Sequence, residues 1–227
     1  MNNDSGDVYF KPYVGDNYKK GFASGKKLLL LGESSFFPKN KDPARYLADK
    51  NMIADYIDDD IREHWIEKKE LGNCFVGRLH RLLTDKDNPS IDENREAWDR
   101  VAFINYIPIF AGDGIDQHSG RGADARKSAR HWNLAAERLP CVLNELQPDR
   151  VLVLGKTVWN RISQPGKYVE NQEGWCACGD ERKRGLWDFS ANGQSPALAT
   201  WVYHPSWGRD SWERMRNVLD RLIEFSP

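Results

Sequence analysis

The chain has 227 residues, 40% of them hydrophobic; that is enough for one substantial core and reads as a single domain over residues 1–227 with an irregular start over 1–20. Its 33 basic and 34 acidic residues nearly cancel, which excludes the global positive field of a nucleic-acid coat protein and leaves any nucleic-acid role to a local basic face. Cys74, Cys141, Cys176 and Cys178 lack the paired spacing of a secreted disulfide framework, the opening Met1 to Gly6 is polar, and no apolar stretch nears the roughly 20 residues that cross a bilayer, so a soluble, cytoplasmic, untargeted monomer with reduced thiols is expected.

In chain order, the first strong signal is Leu28-Leu29-Leu30-Leu31, preceded by Lys26-Lys27 and stopped by Gly32. A continuous apolar run of this length predicts a central strand covered on both faces. Helical segments are predicted around Asp58 to Glu67 and Phe75 to Leu83, followed by a second strand at Ala102-Phe103-Ile104. Asp124 to Leu146 reads as helix, with Pro140 marking a break or a fresh first turn. Pro148-Asp149 then leads into a third strand, Val151 to Leu154, and Thr200 to Tyr203 is the fourth. The last helix has Asp210 as its cap with Glu213 three residues on, and an apolar stripe of Trp212, Met215, Val218, Leu219, Leu222 and Ile223. Strands separated by helical crossovers predict an α/β fold, a three-layer α/β/α sandwich around a mostly parallel sheet of about four strands.

Each apolar run ends in a small or polar turn: Gly32-Glu33-Ser34-Ser35, Asn105-Tyr106, Gly155-Lys156 and His204-Pro205-Ser206. In an open parallel sheet the ligand site lies beyond the carboxyl ends of the strands, so one edge is expected to gather a carboxylate, an amide and an imidazole. Each residue also has a plain reading. Glu33 can cap a helix or pair with a lysine, His204 can be a satisfied loop histidine, and Asn105 can bond its own backbone. Phe75, on a stripe with Leu79 and Leu82, reads as core from periodicity alone. Trp65, Trp132 and Trp212 fall in helical patterns and are expected to pack, and Arg182-Lys183-Arg184 reads as a solvated run.

Five segments in order, Gly32-Glu33-Ser34, Gly72-Asn73-Cys74-Phe75-Val76-Gly77-Arg78-Leu79 with Leu82-Leu83, Phe103-Ile104-Asn105, Pro148 to Gly155, and His204-Pro205-Ser206, resemble the uracil-DNA glycosylase superfamily. The resemblance spans residues 28 to 208 and is nearest to the branch whose first motif is Gly-Glu-Ala-Pro-Gly. It implies the superfamily's fold, a DNA partner and a hydrolysis that needs no cofactor. By resemblance, Phe75 would stack on a flipped base, Asn105 would read its edge, and Gly32 and Ser34 would line the pocket. His204 would donate to the departing base, and Glu33 would supply an anion or position water. Ser206, Trp207 and Arg209 stand where relatives press a wedge into the minor groove; an apolar wedge with a flanking cation suits unstacking and phosphate contact. Arg121, Arg126, Lys127 and Arg130 would add phosphate contacts.

The chemistry explains the set. An amide can donate to a uracil carbonyl and accept from the adjacent imide N–H, which rejects the opposite polarity of cytosine. Breaking the glycosidic bond puts negative charge on the base and positive charge on the sugar, so a donor and an anion together lower the barrier.

The chain also departs from the pattern. Asn105-Tyr106-Ile107-Pro108-Ile109-Phe110 lacks the thiol that the related branch places there for an iron-sulfur cluster, and the close pair Cys176 and Cys178 has no matching second pair, so neither a cluster nor another metal is expected. Ser34 stands where classic uracil-excising enzymes carry an Asp. A base-excising hydrolase is the first expectation; a nucleobase or nucleic-acid binding module on the same fold, and a hydrolase of free nucleosides or RNA, are the alternatives.

Overall fold

A computed structural model describes residues 8–35, 49–67, 75–111, 127–162, 169–170, 186–189 and 197–225. In chain order the elements are β1 (Tyr13–Val14), β2 (Leu28–Gly32), α1 (Lys50–Asp59), α2 (Phe75–Thr84), α3 (Ile91–Trp98), β3 (Val101–Asn105), α4 (Ala129–Leu146), β4 (Arg150–Leu154), α5 (Lys156–Ile162), β5 (Val169–Glu170), β6 (Trp187–Phe189), β7 (Ala197–Val202) and α6 (Trp212–Glu224). The four apolar runs form the middle of the sheet, β3-β2-β4-β7, all parallel. Three short strands extend it beyond the four expected: β1 pairs antiparallel with β3, β6 with β7, and β5 with β6. The extra strands have two or three residues each, too few for any alternation to register.

Burial on both faces explains the unbroken leucine run. Leu28 and Leu30 face one core with Ile57 of α1, Leu79 and Leu82 of α2, Trp98 of α3 and Leu219 of α6. Leu29 and Leu31 face the other, with Leu139 and Val142 of α4 and Val158 of α5. All four leucines are fully buried. Period-two alternation sends neighbours to opposite faces, so a strand with helices on each side has no polar position.

At the amino edge of the sheet, Asp149 accepts the Lys27 N–H at 2.8 Å, and Lys27 C=O accepts from Asp149 and Arg150. The buried Arg150 guanidinium donates to the C=O of Leu222 and of Phe225, both at 2.6 Å. A cation thus satisfies carbonyls that the end of α6 leaves open. The Pro148-Asp149-Arg150 segment therefore ties strands and a helix together on the side away from the carboxyl ends of the parallel strands.

Three helix expectations need correction. Pro140 lies inside one continuous α4. Leu139, Val142, Leu143 and Leu146 are buried on both sides of it, and that burial offsets the one lost backbone bond. Ser128 caps α4 in a box with His131. The cap of α6 is Ser211, which accepts from Arg214 N; Asp210 is instead buried and accepts from Tyr203 N at 3.0 Å. The reading also missed α3, although Ser90 and Glu93 make a complete capping box there. The predicted Asp58–Glu67 segment is the continuation of α1, which widens over Asp60–Trp65 into wider turns, with Ile66 N bonding Ile61 O at 3.0 Å.

Candidate active site

The parallel register aligns the carboxyl ends. Gly32 pairs with Asn105, and Leu154 with Val202. Asn105, Glu33, Gly155 and His204 therefore follow one another across the edge in the strand order β3, β2, β4, β7. The turns after β2 and β3 continue the pairing, since Tyr106 N donates to Gly32 O at 2.9 Å, Ile107 N to Glu33 O at 3.0 Å, and Ala111 N to Ser35 O at 2.9 Å. Those bonds fix the backbone on which Glu33 and Ser34 are carried; Ser34 itself is half-buried.

Asn105 is 7% exposed and does not bond its own backbone; its Nδ2 donates to Ser35 Oγ at 2.8 Å. The amide lies across Gly32. An ideal Cβ at Gly32 would sit 2.2 Å from Asn105 Oδ1 and 2.9 Å from Phe103 Cζ. Gly32 is thus required by the close approach of a neighbouring side chain. Its hydrogen bond leaves Asn105 one further N–H and an acceptor oxygen for a ligand edge.

Glu33 and His204 flank Gly155. An ideal Cβ there would lie 3.9 Å from Glu33 Oε2, 3.9 Å from His204 Cβ and 4.0 Å from His204 Cδ2, and the Gly155 φ of 151° is one that other residues rarely adopt. The buried Glu33 accepts from the Lys127 ammonium, so the plain expectation of a lysine partner holds alongside its place at the edge. The Lys127 side chain is only 4% exposed. It is therefore no surface contact for phosphate. Burial pulls its pKa down to about 8. Its Nζ lies 5.9 Å from the Trp132 ring centre, with Arg161 on the same indole at 5.0 Å.

His204 is pushed down to a pKa of about 4, first by burial and then by the charge of Lys127, so its ring is neutral at pH 7. Its Nδ1 accepts from Ser206 N at 3.3 Å, which assigns the ring proton to Nε2. Phe75, at the start of α2, is half-buried with its ring 5.2 Å from the imidazole at an interplanar angle of 32°. Leu79 and Leu82 on the same helix are fully buried. Phe75 thus stands where the core stripe emerges at the site.

Beyond His204, Ser206, Trp207 and Arg209 are exposed, with Trp207 at 54% and its ring 6.1 Å from the imidazole. The Arg209 guanidinium lies over Tyr203 at 5.5 Å. Arg78 of α2 holds this turn, donating to Pro205 O at 2.6 Å and lying 3.6 Å from where a Cβ on Gly208 would stand. The sequence reading missed this anchor and the buried role of Lys127. Arg78 stands one turn after Phe75 on the same helix, a spacing that could have signalled it. Arg130 is exposed, as a phosphate contact requires, whereas Arg121, Arg126, Gly72-Asn73-Cys74, Cys176, Cys178 and Arg182-Lys183-Arg184 lie outside the described residues. Trp65 packs on Phe75, Trp98 and Phe103 as expected.

Among the described residues, no group of three or more His, Cys, Asp or Glu is placed to hold a metal ion, and no helix is long and apolar enough to cross a membrane. No family model and no curated protein matches the chain.

Proposed function

We propose that this chain is a DNA glycosylase of the uracil-DNA glycosylase type, hydrolysing the N-glycosidic bond of uracil or another deaminated or modified base after the base leaves the stack. One observation carries the reading: a buried carboxyl group paired with a lysine, an imidazole and a constrained amide, from residues 33, 204 and 105, lie together at the carboxyl edge of a parallel sheet.

On this reading Phe75 stacks on the base and Asn105 exchanges a donor and an acceptor with its edge. As the C1′–N bond lengthens, His204 Nε2–H donates to the base oxygen that gains negative charge. A neutral donor suits this step because it is present at neutral pH without needing a proton from solvent. Glu33, paired with Lys127, opposes the positive charge growing on the sugar, orients the water that forms the new C1′–O bond and takes that water's proton, while the base leaves with the electron pair of the C1′–N bond. Trp207, with Arg209 beside it, enters the gap left in the stack. A second reading, recognition of a base without cleavage, is favoured by Ser34, which offers no carboxylate where classic enzymes have one.

Alkaline strand cleavage of labelled single- and double-stranded oligonucleotides carrying one uracil, hypoxanthine or mismatched thymine tests this, with Asn105→Ala and His204→Ala beside the wild type. Cleavage at one of these bases, lowered about 100-fold or more by each substitution, is expected. Absence of cleavage with any base, together with binding that Asn105→Ala weakens, would leave the recognition reading.

A further inference from the structure

The strand-end site holds an arrangement that its proposed chemistry does not by itself explain. A buried carboxylate and a half-buried imidazole that flank one glycine have a simple way to lower their energy. The imidazole takes a proton and the two form an ion pair. That pair would remove the neutral donor and occupy the anion. Yet Glu33 is bonded to Lys127, and His204 Nδ1 is bonded to the Ser206 N–H.

We propose that Lys127 is a positioning residue that holds the Glu33 carboxylate away from His204 at their shared strand edge, leaving the imidazole Nδ1 to the Ser206 N–H. The proposal rests on the glycosylase reading only for its catalytic consequence. Geometry carries it: Lys127 immediately precedes the Ser128 cap of α4, and its buried side chain reaches Glu33 just beyond β2. The ammonium acts on both partners in the same sense. It pairs with Glu33, so that the carboxylate has a partner other than the ring, and its own field opposes a second positive charge on the ring.

The other charged groups near His204 do not substitute for it. From α2, Arg78 is spent on Pro205 O. From the turn before α6, Arg209 lies over Tyr203, and Asp210 accepts from Tyr203 N. From α5, Lys156 lies over the Trp201 ring at 5.9 Å. Among the described residues, Lys127 is the cation bonded to Glu33.

The test is a titration of the imidazole by long-range proton–nitrogen NMR, with the His204 signals assigned by their loss in His204→Gln. In the wild type the His204 midpoint is expected at about pH 4. In Lys127→Met its midpoint is expected to rise by one unit or more, as Glu33 turns to the ring. Lys127→Arg, which keeps the charge, should return it toward the wild-type value. In the double variant Glu33→Gln, Lys127→Met the rise should shrink, because no carboxylate remains to pair. An unchanged midpoint in Lys127→Met, or an equal rise in the double variant, would overturn the proposal. If Lys127→Met does not fold, Glu33→Gln alone decides: its midpoint should stay at or below the wild-type value, and a rise would overturn the proposal. None of these readouts needs turnover. A chain that releases no base but titrates as described would refute the glycosylase reading and leave this inference standing, and the converse result would do the reverse.

Discussion

Replacing Gly32 by alanine should be costly for a reason confined to one contact. The added Cβ would stand 2.2 Å from Asn105 Oδ1 and 2.9 Å from Phe103 Cζ, both inside any tolerable separation. The backbone at Gly32 is not in the left-handed region, so the penalty is steric. For the amide to leave, the 2.8 Å bond from Nδ2 to Ser35 must break, which costs about 1 kcal/mol. Phe103 is fully buried and packed against Trp65 and Trp98, so its displacement adds an overpacking cost of about 1–3 kcal/mol. Together the change should destabilise by about 2–4 kcal/mol, or roughly 5–15 °C in Tm for a chain of this size. Urea denaturation of Gly32→Ala in the wild-type and Asn105→Ala backgrounds measures it. In the second background the amide is already gone, so the same substitution should cost about 1 kcal/mol less. A neutral Gly32→Ala, or an identical cost in both backgrounds, would refute the proposed packing of the amide over β2.

Arg150→Met should lose about 2–4 kcal/mol in denaturant unfolding, because the carbonyls of Leu222 and Phe225 lose their charged donor; activity at temperatures where the variant is folded should persist. Trp207→Ala, at a side chain 54% exposed, should move stability by less than about 0.5 kcal/mol and lower cleavage of duplex much more than of single strands. His80 is 1% exposed, and burial pushes its pKa down to about 4, as it does for His204. Between the ordinary histidine pKa of about 6.5 and about 4, the unfolded chain binds these protons and the folded one does not. Stability should therefore be full above pH 6.5 and fall as the pH drops through that window, by up to about 1.4 kcal/mol per pH unit for each histidine. His80→Gln should lose one histidine's share of the slope, as followed by chemical denaturation at a series of pH values.

How much was legible beforehand varies with the kind of signal. The central strands were plain because burial on both faces demands unbroken apolar runs such as Leu28–Leu31 and Val151–Leu154, and the crossover spacing required them to be parallel. That relation alone placed residues 33, 105 and 204 at one edge. The edge strands β1, β5 and β6 were not legible, because strands this short are made by a neighbour's open backbone and carry no pattern of their own. Capping was legible only in part: Asp210 and Ser211 both suit an N-cap, and the choice fell to Tyr203 N, a buried donor brought close by the fold. Lys127 looked like one more cation in a basic stretch. Its burial depends on Glu33, 94 residues earlier, which no local pattern encodes. Phe75 shows the opposite limit: periodicity assigns it to the core stripe of α2, while its position at the helix start leaves the ring half out of that core beside His204.

The most direct test of the central claim is single-turnover release of free base from an oligonucleotide containing one labelled uracil, with protein in excess over DNA, for wild type and Glu33→Gln. The account predicts first-order release by the wild type and a rate lower by about 100-fold or more in Glu33→Gln, with DNA binding retained. If the wild type releases base and Glu33→Gln matches its rate, the buried Glu33 carboxyl group has no part in the chemistry. If stoichiometric wild-type protein binds the DNA and releases no uracil, the account of this edge as a uracil-excising site is wrong.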